Sequence, residues 1–191
     1  MTMLHATRGR RDQLAPARFA ATNAVAEQFF ATHADDIART CEAMAERFQH
    51  GGRLLVCGDG AQRSDVSHVV VEFMHPVVVG KRALPAIALP RVGGGDALAA
   101  LGVLGQSADL LLLMDASQIG GDAEHLLASA RERGMLCLTL SGGAAAAPGV
   151  ADHAFVVPSE ARCIVQETHE MLYHVLWELV HVFLDHRGVA A

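Results

Sequence analysis

The chain has 191 residues and a net charge of −6, and it is 51% hydrophobic but only 19% charged. That length is enough for one domain with a sizeable core, and the acidic balance excludes an electrostatic footprint for nucleic acid. No run reaches membrane-spanning length without charge, and the basic N-terminus, MTMLHATRGRRDQLAP, has no apolar stretch of the kind a secretory signal carries. The four cysteines (Cys41, Cys57, Cys137 and Cys163) lack CxxC spacing, and Cys57 and Cys137 lie inside apolar runs. They read as reduced, buried thiols in a soluble protein of the cytoplasm.

Residues 1–16 read as a flexible terminus of mixed charge ended by Pro16, and residues 17–191 as one domain. Residues 17–50 should form two helices. The first runs from about Arg18 to Thr32, with Phe19, Val25, Phe29 and Phe30 roughly on one side. The second runs from Asp35 to Gln49, with Ile37, Cys41, Met44 and Phe48 at three-to-four spacing, and Gly51-Gly52 stops it. The pair reads as a helical hairpin, useful as a cover or a dimer contact.

An α/β core is expected over 53–157. Strand 53–57 is broken by Gly58-Asp59-Gly60, and a helix over about 62–74 ends before Pro76. A second strand, Pro85 to Leu89, leads to the loop Pro90–Gly95, and Asp96 reads as the N-cap of a helix from Ala97 to Leu104. Leu110–Met114 is a strand apolar on both faces. A helix from Asp122 to Arg133, a strand from Leu136 to Leu140 and a strand from Ala154 to Val157 follow. The last element, 163–187, is a long helix rich in His, Leu and Val. Continuous apolar strands alternating with helices predict a doubly wound, mostly parallel five-stranded sheet flanked by helices. Ligands of such sheets sit at the carboxyl ends of the strands, here Gly58–Arg63, Pro90–Gly95, Asp115–Gly121 and Ser141–Gly143.

On the helix after the first strand, His68 and Glu72 are four residues apart and share one face. Gln166 and His174 on the last helix are eight apart, on neighbouring faces. The four form an N2O2 donor set of the kind that suits zinc or another divalent metal. A helical histidine is more often a plain surface or core residue, and a chain with eleven of them makes chance pairs common. Spacing alone leaves both readings open. The glycine turn before the helix N-terminus reads as an anion cradle, although Asp59 would repel phosphate unless it turns away or pairs with Arg63.

The motifs Cys57-Gly58-Asp59-Gly60, Asp65-x-x-His68-x-x-x-Glu72, PAIAL over 85–89, and Gln166-Glu167 with His174 eight residues after Gln166 occur in an order that resembles the sugar isomerase (SIS) family. Within it the chain is similar to the phosphoheptose isomerases, from about Phe19 to the C-terminus. The resemblance implies an SIS-type α/β subunit in a homotetramer whose sites are shared between subunits. It also implies an aldose–ketose isomerisation of sedoheptulose 7-phosphate or a related sugar. Glu72 and His174 then match the acid/base pair, and His68, Glu72, Gln166 and His174 match a zinc set. Gly58, Asp59, Gly60, Gln62, Arg63, Asp65, Asp115 and Ser117 fall on substrate-binding positions.

The chain departs from the family where phosphate is bound. The family loop GNGGS is Gly58-Asp59-Gly60-Ala61-Gln62 here, and STSGNS becomes Asp115-Ala116-Ser117-Gln118-Ile119-Gly120. Two like charges about 4 Å apart cost roughly 4 kcal/mol at an effective dielectric near 20. Compensation would have to come from Arg63, Lys81 or Arg91. Two other readings accompany the isomerase. One is a non-catalytic sugar-binding or regulatory SIS module, similar to the relative that associates with the bacterial replication initiator. The other is a protein whose metal site serves structure or metal handling.

Overall fold

The computed structural model describes the backbone of residues 2–60, 62–92, 95–114, 121–143 and 151–188, and the side chains of those residues from Leu14 to His186. The elements are α1 (Thr2–Gln49), β1 (Leu54–Gly58), α2 (Gln62–Met74), β2 (Ala86–Ala88), α3 (Asp96–Leu104), β3 (Leu110–Met114), α4 (Asp122–Glu132), β4 (Leu136–Gly142), β5 (His153–Val157) and α5 (Arg162–Gly188). The five strands form one sheet in the order β2-β1-β3-β4-β5, and every pairing is parallel.

Side chains alternate across a strand, so each apolar run supplies two cores. On one face Leu54, Val56, Leu110, Leu112, Leu138 and Leu140 pack under α1, α2 and α5. On the other, Leu55, Cys57, Leu111, Leu113 and Cys137 pack under α3 and α4. The thiols of Cys57 and Cys137 are buried there, and burial pushes them up to about 11 and about 12. They behave as small apolar side chains, as their setting in apolar runs suggested.

The N-terminal hairpin is corrected by the structure. A single helix spans Thr2–Gln49, through the stretch read as a flexible terminus and across Pro16. His33 and Ala34, where the turn was expected, are neither glycine nor proline. The buried stripe Phe29, Ile37, Cys41, Met44 and Phe48 runs on without a phase change, so nothing stops the helix. Proline at position 16 removes one ladder hydrogen bond and is carried inside the helix. Phe19, expected on the inward face, is 68% exposed. A smaller correction concerns Asp96. Gly95, at φ 82°, occupies the cap position, Asp96 is the first helical residue, and no side chain caps the helix.

Gly58, the last residue of β1, decides how closely α2 approaches the sheet. A Cβ there would lie 3.0 Å from the Met114 carbonyl oxygen and from Val66 Cγ2, and 3.1 Å from Gln62 Cβ. The missing side chain lets the first turn of α2 start directly at the strand end. At the opposite, amino end of the sheet, buried Asp109 accepts from Arg53 N, Nε and Nη2 and from Gln106 N, which ties the starts of β1 and β3 together.

Candidate active site

The element order puts α2 and α5 side by side on the same sheet face. Spacing of four residues aligns His68 with Glu72 on α2, and Gln166, Glu170 and His174 on α5. The two rows meet. His68 Nε2 lies 3.3 Å from Glu72 Oε1 and 3.4 Å from His174 Nε2, and His174 Nε2 lies 4.0 Å from Glu72 Oε1. Two histidines from different helices and a carboxylate therefore aim one atom each at a common point.

That triangle can be tested against a metal. A tetrahedral zinc with nitrogen and oxygen ligands at about 2.0–2.2 Å sets neighbouring ligand atoms roughly 3.3–3.6 Å apart. Two edges of the triangle fall at 3.3 and 3.4 Å and the third at 4.0 Å. The donors fit a divalent ion, and all three are partly accessible. Gln166, the expected fourth ligand, is hydrogen-bonded to a neighbouring carboxylate. Its Nε2 donates to Asp65 Oδ1 at 3.1 Å, a bond that does not use the amide oxygen, the atom that would ligate. Asp65 is 6% exposed, and its Oδ2 is buried without a hydrogen-bond partner. Burial raises its pKa above the ordinary aspartate value, the Gln166 hydrogen bond opposes the shift, and the Glu170 charge adds to it.

Among the described residues of the glycine turn, one amide of the expected anion cradle is already taken. Asp59 Oδ1 accepts the Gly60 N–H at 2.8 Å, and the backbone N–H groups of Gln62 and Arg63 donate to the carbonyls of Asp59 and Gly60. The chain's own carboxylate thus takes an amide that an anion would need, and Asp59 turns onto the backbone rather than to Arg63. Gln62 is buried with its Nε2 unpartnered, and Arg63 is exposed. Asp115 and Ser117 lie outside the described residues.

Two neighbours escaped the sequence reading as site residues. Tyr173 Oη lies 2.8 Å from His68 Nδ1, and Glu170 Oε1 lies 3.7 Å from the same nitrogen. Burial raises the Tyr173 pKa, and the charges of Glu170, Asp65 and Glu72 raise it further, so the phenol stays protonated. The signal for Glu170 was its place midway between Gln166 and His174 at spacings of four. Tyr173 gave none, since an aromatic on a long apolar helix reads as core. Two other histidines of α5 are structural. His169 Nε2 donates to the Ser141 carbonyl, and His181 sits between the carbonyls of Trp177 and Arg82. Beside His174 a cavity of about 590 Å³ opens between α1 and α5, lined in part by Arg18, Thr22, Glu167, Glu170 and Met171.

The SIS domain family profile matches residues 19–142, most of the chain. The chain belongs to the SIS domain family. This SIS domain is 32% identical over 174 residues to a phosphoheptose isomerase of Thermodesulfovibrio yellowstonii, covering 84% of this chain and 86% of the relative. It is 31% identical over 159 residues to phosphoheptose isomerase 1 of Campylobacter jejuni, covering 75% and 84%. Its fold matches the phosphoheptose isomerase structure from Neisseria gonorrhoeae with a TM-score of 0.71 at 22% identity, over 88% of this chain and 97% of that one. The sugar isomerase domain of an RpiR transcription factor from Sphaerobacter thermophilus matches with a TM-score of 0.65 at 17% identity, over 93% and 95%.

Proposed function

We propose that this SIS domain is a phosphoheptose isomerase-like aldose–ketose isomerase that interconverts sedoheptulose 7-phosphate and glycero-manno-heptose 7-phosphate or a close sugar relative. The observation that carries this reading is the convergence of Glu72 with His68 and His174, on a chain whose curated relatives are named phosphoheptose isomerases. The reaction moves a proton between C1 and C2 through an enediol, and it needs a base beside the carbon and a donor at the oxygen. Glu72 Oε1 faces both histidines, which leaves Oε2 to take the C2 proton and return it to C1. His174, on the rim of the cavity, exchanges the proton of the neighbouring oxygen. His68, Glu72, His174 and Gln166 would hold a zinc or other divalent ion, which when bound would supply Lewis-acid polarisation of the carbonyl.

The phosphate is the point of departure. With the Gly60 N–H taken by Asp59, a phosphorylated substrate must be gripped by groups other than that turn, or the sugar is unphosphorylated. The same feature favours a second reading, a non-catalytic sugar-binding or regulatory module. A homotetramer in the cytoplasm with shared sites accords with the exposed Leu14 and Phe19 on α1 and with four free cysteines. The test is isomerisation of sedoheptulose 7-phosphate, followed by proton NMR, with metal-loaded wild-type protein and Glu72→Gln. General acid–base groups contribute about 10²–10⁴-fold, and the variant should lose a factor in that range. No turnover by the wild type, with sugar binding retained, supports the second reading instead.

A further inference from the structure

Tyr173 occupies an unusual place for a site of this kind. It is 1% exposed, whereas the side chains of His68 and His174 are 36% and 43% exposed. The three rings are packed edge to face around one another. Their centroids are 5.3 Å apart for His68 and Tyr173, 4.9 Å for Tyr173 and His174, and 5.0 Å for the two histidines. The buried ring is thus the fixed member, and the two accessible imidazoles lean on it.

We propose that Tyr173 is the positioning residue for His68: its hydroxyl engages the outer ring nitrogen and so aims the inner one at Glu72 and His174 as a metal ligand. The inference rests on the metal-assisted part of the reading above. The proton logic is short. A ligating Nε2 presents its lone pair, so the single proton of neutral His68 sits on Nδ1 and needs an acceptor. Tyr173 Oη, at 2.8 Å, is that acceptor. Glu170 Oε1, at 3.7 Å and about half exposed, is beyond hydrogen-bond range. Partners of this sort fix both the tautomer and the ring orientation of a ligand histidine. Their loss costs about 10–100-fold in metal affinity.

The test uses the full chain, with Co²⁺ as the probe, titrated by its visible absorption into wild type, Tyr173→Phe and Glu170→Gln. Tyr173→Phe keeps the buried ring, and its thermal midpoint serves as the check that the protein folds. The expected result is a Co²⁺ dissociation constant raised about 10–100-fold in Tyr173→Phe and less in Glu170→Gln. Nitrogen NMR of the histidine rings gives a readout independent of affinity. In the zinc-loaded wild type, the His68 Nδ1 should carry the proton and Nε2 the metal shift. The inference is overturned if Tyr173→Phe folds and binds Co²⁺ as tightly as wild type, if Glu170→Gln is the variant that weakens binding, or if wild type takes up no Co²⁺. Absence of sugar isomerisation in every protein, with the Co²⁺ difference intact, overturns the isomerase reading and leaves this inference standing.

Discussion

Asp109 offers the sharpest separation of stability from function in this molecule. It is 1% exposed and accepts four hydrogen bonds, three from Arg53 (2.8, 3.1 and 2.6 Å) and one from Gln106 N at 3.0 Å. Arg53 Nη2 also donates to the Leu104 carbonyl. Asp109→Ala leaves two backbone N–H groups without their acceptor and a guanidinium without its counter-charge. Breaking a buried pair from one side costs about 3–5 kcal/mol. In a chain of this size each kcal/mol shifts the thermal midpoint by about 2–4 °C, so a fall of roughly 6–20 °C is expected by scanning calorimetry. The hydrogen bonds of Asp109 go to Arg53 and Gln106, and none of them reaches α2 or α5, which carry the triangle. Co²⁺ affinity measured well below the midpoint should therefore match wild type. A midpoint within 2 °C of wild type would refute the claim that this pair holds the starts of β1 and β3 together.

Two further outcomes follow from packing and from burial. Gly58→Ala places a Cβ 3.0 Å from the Met114 carbonyl oxygen, a backbone atom that cannot step aside. A cost of about 1–3 kcal/mol is expected from overpacking, together with weaker Co²⁺ binding because the first turn of α2 must shift; unchanged midpoint and affinity would count against the close approach. His153 titrates below its ordinary value of 6.5 because burial disfavours the cation, with Asp152 and Asp36 opposing the shift and Arg39 adding to it. The unfolded chain therefore takes up a proton first as the pH falls, and this contribution to stability is full above pH 6.5 and is lost below it, down to the depressed native value. Between pH 7 and pH 5 the midpoint of wild type should fall more steeply than that of His153→Gln, and parallel curves would contradict the assignment.

The sheet was legible because each strand is an apolar run bounded by a turn signal. Leu110–Met114 was placed to the residue, and β1, β4 and β5 within two residues at either end. Helix α2 was read as 62–74 and spans Gln62–Met74, since Gly60 and Pro76 punctuate it. Helix α1 was misread for the opposite reason. One helix ending at Thr32 and a second starting at Asp35 were expected, yet the buried stripe keeps its phase from Phe29 to Phe48. In the site, His68, Glu72 and His174 were found by spacing and by resemblance, and the structure brings them together. The pairing of Gln166 with Asp65 was not legible, because it joins residues 101 apart in sequence. Tyr173 stayed hidden for a related reason: only the packing of α5 against α2 turns a core aromatic into a neighbour of His68.

The glycine turn sits where the topology leaves room for it. Strand order reverses at β1, which lies between β2 and β3, and a doubly wound sheet opens a crevice outside its carboxyl ends at such a point. The chain leaves β1 there and enters α2 at once, because Gly58 carries no side chain to hold the helix off. Helix α2 then lies on the face that α5 also covers, so four-residue spacing on two separate helices suffices to gather one imidazole and a carboxylate from the first and one imidazole from the second. The glycine turn that begins α2 is shaped by the same geometry, but Asp59 holds the Gly60 N–H itself. The glycine turn and the α2 half of the triangle are thus built on one segment, and Asp59 makes its printed hydrogen bond to the turn and none to His68 or Glu72. Removing the Asp59 carboxylate is accordingly the single change that should open the turn to a phosphate while leaving the His68, Glu72 and His174 triangle in place.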